Sequence, residues 1–291
     1  MAMQQLTLPG QIVKKHNELV RSRVNITSVQ ASRILASLIA SIRADEKDFK
    51  TPYYLNIREF LPNDSGKSYA EIRTVCRELA KSFAEFEMED PDGDLVLVEF
   101  PFFSRLIYKK GRLEALFNDV MRGSLLELRG QFTKYNLIDY LQLPTTYSQR
   151  IFEILKSWDD RPEVTITLES LHKTLNTPET SRKNFAEFRR YILEKAHKAI
   201  IEKTDLYFEW EPVKQGRAVV AVRFIFAKKR ALPVAEEKEK KELQTQNRQN
   251  TAIFKAVVAC FKEHGPGCTG GHQKAEICEA CKRLAGKEKS S

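Results

Sequence analysis

The stretch SRKNFAEFRRYILEKAHKAI, residues 181–200, carries two patterns at once. Phe185, Phe188, Ile192, Ala196 and Ala199 recur at three- and four-residue intervals. On a helical wheel they fall within about 80°, so the spacing predicts one buried face. The same helix opens with Arg182 and Lys183, and Lys183 and Arg190 stand one heptad apart on the opposite face, which Glu187 and Glu194 share. Arg189 falls near the buried stripe, where a core-edge ion pair and a groove contact are both open to it. A lone amphipathic helix of this kind is most often a solvated surface helix with packed stems. Its neighbours in the chain decide the matter.

Upstream, YSQRIFEILKSW (147–158) has helical spacing, VTITL (164–168) reads as a strand and LESLHKTLN as a short helix. Downstream, LYFEWEP, a turn at VKQGR and AVVAVRFIF form a hairpin pattern. Leu206, Phe208 and Trp210 share one face by period two, as do Val220, Val222, Phe224 and Phe226. Helix, strand, helix, helix, hairpin is the order of a winged helix. In that arrangement the third helix enters the major groove, which makes Arg182, Lys183, Asn184, Arg189 and Arg190 candidate DNA contacts. Arginine can grip guanine with two hydrogen bonds, lysine suits phosphate and Asn184 could pair with adenine. Lys214 and Arg217, around Gly216 at the hairpin tip, would lie along the phosphate backbone.

Working back toward the N-terminus, a similar order precedes it. QASRILASLIASIRADE is an amphipathic helix, YYLNI (53–57) a strand and SYAEIRTVCRELAKSF (68–83) a second helix with Ser68 and Glu71 as a capping signal. Ile72, Val75, Cys76, Leu79 and Phe83 form its inner stripe, leaving Lys67, Arg73, Arg77 and Lys81 as outward candidates for a second DNA reader. EFEMEDPDGDLVLVEF is a hairpin around Pro91-Asp92-Gly93, and RLEALFND (112–119) returns as a strand. The hairpin tip is acidic and would be repelled by phosphate. The expected fold class is α+β: two tandem winged-helix domains, residues 11–142 and 143–227, followed by a charged linker at 228–250 and a short Cys-containing tail at 251–291.

Composition agrees with a folded binder of polyanions. The chain has 291 residues, 42% of them hydrophobic, with 17 Phe, 9 Tyr and a net charge of +9. That content supports real cores, and the charge favours nucleic acid or an acidic surface. No window approaches 18 uninterrupted apolar residues, and the N-terminal stretch lacks the apolar core of a signal peptide, so a cytoplasmic protein with no membrane span is expected. Enzymatic chemistry finds no support: no G-x-x-x-x-G-K-[ST] cradle is present. No His pair adjoins any tyrosine, as a nicking enzyme would need. His197 is placed on the outer side of its helix, solvated or near phosphate. In the tail, Cys260, Cys268, Cys278 and Cys281, with His264 and His272, gather soft-metal ligands, and CEAC has the C-x-x-C spacing of a zinc site. The remaining spacings match no standard finger, so a structural zinc site and a reduced, metal-free tail both stay open. No cofactor is otherwise required.

The stretches QASRILASLIASIRADE, SLLELRGQFTKYNLIDYLQLPTTYSQRIFEILKSW and FAEFRRYILEKAHKAIIEKTDLYFEWEPVKQGRAVVAVRFIF give the chain a family likeness. It resembles the iteron-binding plasmid replication initiator proteins over about residues 11–227. The resemblance implies two tandem winged helices that bind short direct repeats at a plasmid origin, melt neighbouring AT-rich DNA and recruit host helicase and initiator proteins. It implies, too, dimers formed through the first winged helix that bind an operator and repress the protein's own synthesis, a form of copy control. The family's main reading helix maps onto Arg182 to Arg190. At AKSFAEF (80–86), where a basic residue is common before the first-wing strand in the family, the chain departs from the pattern, which weakens the carry-over to the first reader. A dimeric winged-helix transcription repressor with no replication role is the rival reading.

Overall fold

The computed structural model describes residues 12–57, 68–89, 91–128 and 130–226. In chain order the first half contains β1 (Ile12–His16), α1 (Asn17–Arg21), β2 (Arg23–Val24), α2 (Val29–Ala40), β3 (Tyr53–Asn56) and α3 (Ser68–Ala80). Four strands follow, β4 (Phe83–Glu89), β5 (Leu95–Pro101), β6 (Phe103–Lys109) and β7 (Arg112–Phe117). Then come α4 (Arg122–Leu125), β8 (Phe132–Asn136), α5 (Leu137–Leu141) and α6 (Thr146–Lys156). The second half adds β9 (Glu163–Thr167), α7 (Leu168–Thr174), α8 (Glu179–Lys183), α9 (Phe185–Phe188), a π-turn at Arg189–Leu193, α10 (Glu194–Lys203), β10 (Phe208–Gln215) and β11 (Ala218–Phe226).

Local chemistry accounts for these elements. The Ser28 side chain accepts from the Ala31 N–H at the start of α2, whose Ile34, Leu35, Leu38 and Ile39 are buried at helical spacing. Glu78 of α3 reaches back to the same point and accepts from the backbone N–H groups of Thr27 and Ser28, at 2.6 and 2.9 Å. Burial opposes its charge, yet these hydrogen bonds and those of the two hydroxyls hold its carboxyl below the usual range. Helix α3 is thereby pinned to the N-terminus of α2. Strand order is β2-β4-β5 in one antiparallel sheet and β3-β7-β6 in another, with β1 and β8 pairing separately. Strands β1, β6 and β8 carry no mark in the periodic reading above. The β6–β7 turn is a two-residue hairpin in which Lys110 and Gly111 both have positive φ, 50° and 83°, the geometry of the primed turn that fits strand twist.

Buried side chains from Val13 to Phe224 form one contiguous apolar cluster that spans both halves. Within it lies an ionic network. Lys15 of β1 approaches Glu153 of α6 at 2.5 Å, with relative exposures of 7% and 1%. Tyr135 of β8 donates to the same carboxylate, and Arg150 contacts its other oxygen at 2.7 Å. The Arg150 Nη2 also donates to the carbonyls of Val20 and Ser22. Helix α6, assigned to the second half by the division after residue 142, is thus tied by buried contacts to β1 and β8, and it packs against α10 as well.

The two halves meet along β2, β4 and α7. Arg23 bridges Glu85 at 2.7 Å and donates to Asn176 Oδ1 at 2.5 Å, while Asn176 Nδ2 donates to the Val24 carbonyl at 2.6 Å. Lys173 pairs with Glu87, and Thr174 donates to the Arg21 carbonyl at 3.2 Å. At the end of α6 the Arg21 guanidinium lies 3.3 Å over the Trp158 ring.

Candidate nucleic-acid interface

The second half is a winged helix in three dimensions. Helix α7, the turn through Asn176 to Pro178 and α8 lead into the reading helix, and β10-β11-β9 form the antiparallel sheet behind it. The reading helix does not begin at Arg182. At Asn184 the backbone is extended, with φ −137° and ψ 106°, and the Asn184 side chain caps the next helix by accepting from the Ala186 N–H at 2.9 Å. An asparagine favours this cap over a place inside a helix because its short amide competes for backbone hydrogen bonds. Arg182 and Lys183 therefore stand on the preceding α8. Arg182 Nε donates to the Thr177 carbonyl at 3.0 Å, and Lys183 pairs with Glu179 at 2.6 Å. The heptad relation of Lys183 to Arg190 is broken. With its oxygen held in the cap, Asn184 keeps its amide N–H groups and one remaining lone pair.

From Phe185 onward the buried stripe is as expected: Phe188, Ile192, Ala196 and Ala199 are buried, and Phe185 packs at the edge. Leu193 and Ile200 join them. Arg189, Arg190 and Tyr191 all face solvent across the π-turn. The placement of Arg189 near the core is corrected: its side chain is about half exposed and pairs at 3.2 Å with an equally exposed Glu194. A π-turn holds an extra residue and shifts the angular phase that a uniform wheel assigns. Such a surface pair contributes little to stability. His197, too, is corrected. Its Nε2 lies 2.8 Å from the Phe208 carbonyl and its ring packs edge-on against Phe208, so it braces the wing and does not face phosphate. His172 packs edge-on against Phe188 with its Nδ1 2.8 Å from Thr177 Oγ1, and burial together with Arg182 lowers its pKa.

At the wing tip Gly216 has φ +61°, as a two-residue turn between paired Gln215 and Ala218 requires of its first position. Lys214 and Arg217 flank it and are exposed, with no ion-pair partner among the described residues. A bulge opposite Val213 and Lys214 leaves Val220 unpaired and exposed, off the face it was expected to share with Val222 and Phe224. On the first half, Arg73, Arg77 and Lys81 are exposed along α3 and its end, while Ile72, Val75 and Leu79 are buried. Lys67 lies outside the described residues, as do Cys260, Cys268, Cys278, Cys281, His264 and His272. Among the described residues no group of three or more His, Cys, Asp or Glu could hold a metal ion, and no helix is long and apolar enough to cross a membrane.

Residues 12–156 match the family described as initiator replication protein, WH1, and residues 167–226 match initiator Rep protein, WH2. The chain belongs to this initiator replication protein family. Its role is that of a plasmid replication initiator acting on DNA through two winged helices. It is similar to an Escherichia coli protein described as an uncharacterized 27.6 kDa protein, 25% identical over 226 residues that cover 72% of this chain and 93% of the relative. The WH1 match runs through the whole of α6 and the WH2 match begins at the last residue of β9.

Sequence reasoning overlooked Tyr191 and Lys195, both exposed beside Arg190. The overlooked signal was local: Tyr191 is a large side chain off the buried stripe in a helix already assigned to DNA. The ionic network around Glu153 gave no signal at all, since a lysine in a short strand reads as an outward residue.

Proposed function

We propose that this initiator binds direct repeats, or iterons, in double-stranded origin DNA, with α9, the π-turn and α10 in the major groove and the β10–β11 wing on the backbone. The carrying observation is the set Arg189, Arg190, Lys214 and Arg217, all exposed on the two elements a winged helix presents to DNA. Arg73, Arg77 and Lys81 on α3 would serve a second, adjoining segment. Binding would open neighbouring DNA and recruit host helicase and initiator proteins. A dimer formed through the first winged helix would instead occupy an operator and repress the gene. Edge strand β5 supports that self-association, because Leu95 and Leu97 are 75% and 58% exposed on it. The action is binding and remodelling in the cytoplasm, with no bond chemistry and no required cofactor, and zinc in the tail would be a structural addition.

Footprinting the purified protein on its own replicon tests this reading. Protection is expected over several equally spaced direct repeats, with a separate inverted-repeat operator. Protection of a lone operator, with no repeated origin sites, would establish the repressor reading in its place.

A further inference from the structure

In the second half, the large apolar side chains exposed among the described residues are Tyr191, at 46%, and Val220, at 39%. Both stand on elements that a winged helix turns toward DNA, and each stands at a local irregularity. Tyr191 lies within the π-turn Arg189–Leu193, and Val220 is the unpaired residue of the bulge in β11. Irregularities of both kinds re-aim side chains and concentrate at functional sites. Burial does not require either side chain outside, since Ile192 and Leu193 beside Tyr191, and Ala221 and Val222 beside Val220, are in the core.

The surroundings of Tyr191 narrow its role. The Arg190 guanidinium lies 5.3 Å and the Lys195 ammonium 5.2 Å from its ring centroid. Two cations hold the ring at the edge of the reading face and are themselves suited to base edges and phosphates. In the major groove the apolar feature a base pair presents is the thymine 5-methyl group, which suits an apolar side chain and not the charged heads of arginine and lysine. We propose that Tyr191 is a specificity-determining residue that packs its ring on a thymine methyl in the repeat, beside the base edge taken by Arg190. The proposal rests on the repeat-binding reading above and names the base feature that this helix selects.

The test uses the full chain, a duplex carrying one origin repeat, a scrambled duplex, and repeat duplexes in which each thymine in turn is replaced by uracil. That exchange removes the methyl group alone. For the wild type, one replacement is expected to weaken binding about fourfold, the value of one buried methyl. Y191A should bind the thymine and uracil forms of that position equally, and Y191F should keep the discrimination. A wild type indifferent to every replacement, or a Y191A protein that still discriminates, would overturn the proposal while leaving repeat binding intact. Equal wild-type affinity for the repeat and the scrambled duplex would overturn the repeat-binding reading itself, and this proposal with it. Because the side chain is half exposed, Y191A should keep the wild-type thermal midpoint, which separates lost contact from lost fold.

Discussion

Replacing Glu153 by alanine is expected to destabilise the protein by about 3–5 kcal/mol, because it leaves Lys15 and Arg150 without their buried anionic partner. For a domain of this size that is a fall in thermal midpoint of at least about 6 °C. Thermal unfolding followed by circular dichroism checks it, and a change under about 0.5 kcal/mol would refute the role assigned to the network. Removing the pair together, as Lys15→Met with Glu153→Leu, should cost less than Glu153→Ala alone, since only Arg150 and not two buried cations then loses its partner. The same group sets a pH dependence. Burial works against a charge on Glu153, but Lys15 and Arg150 hold its carboxyl below the usual range. Its contribution is therefore fully present above the ordinary glutamate value of about 4.3 and is lost as pH falls through the lowered one. Glu153→Ala should remove that acid-side slope along with the stability.

The second large effect is expected in salt. Exposed cations on both winged helices, Arg73, Arg77, Lys81, Arg189, Lys214 and Arg217, offer about six phosphate contacts. Affinity for origin DNA should then fall about a thousandfold between 50 and 200 mM salt, by release of condensed counterions. Removing Lys214 and Arg217 together should make the logarithmic slope shallower by about two. A nearly flat dependence would show that the two halves do not engage the backbone together.

The winged helices were legible because their strong periodicities are local. The stripe from Phe188 to Ala199 reports burial directly, and so does the alternation from Leu206 to Trp210, where Leu206 and Phe208 are buried and Trp210 is half-buried against the core. What escaped depended on contacts distant in sequence or on single-residue irregularities. Lys15 and Glu153 are 138 positions apart and pair only once β1, β8 and α6 are assembled. The break at Asn184 replaced a helical residue by a cap, so two basic residues read as part of the reading helix belong to the element before it. The π-turn and the β11 bulge each shifted a phase by one residue. They released Arg189 from the core edge and put Val220 in solvent.

The most direct test of the central claim, that the exposed face of the helix beginning at Phe185 reads the DNA, is the affinity of Arg190→Ala for an origin repeat and for a scrambled duplex. Lys183→Ala serves as the comparison on α8. Arg190→Ala should lose about 1–3 kcal/mol on the repeat and little on the scrambled DNA, with relaxed preference at one base pair. Lys183→Ala, at the end of α8 and ahead of the break at Asn184, should lose much less on either. Unchanged affinity of Arg190→Ala for the repeat, or an equal loss on both duplexes, would contradict the claim.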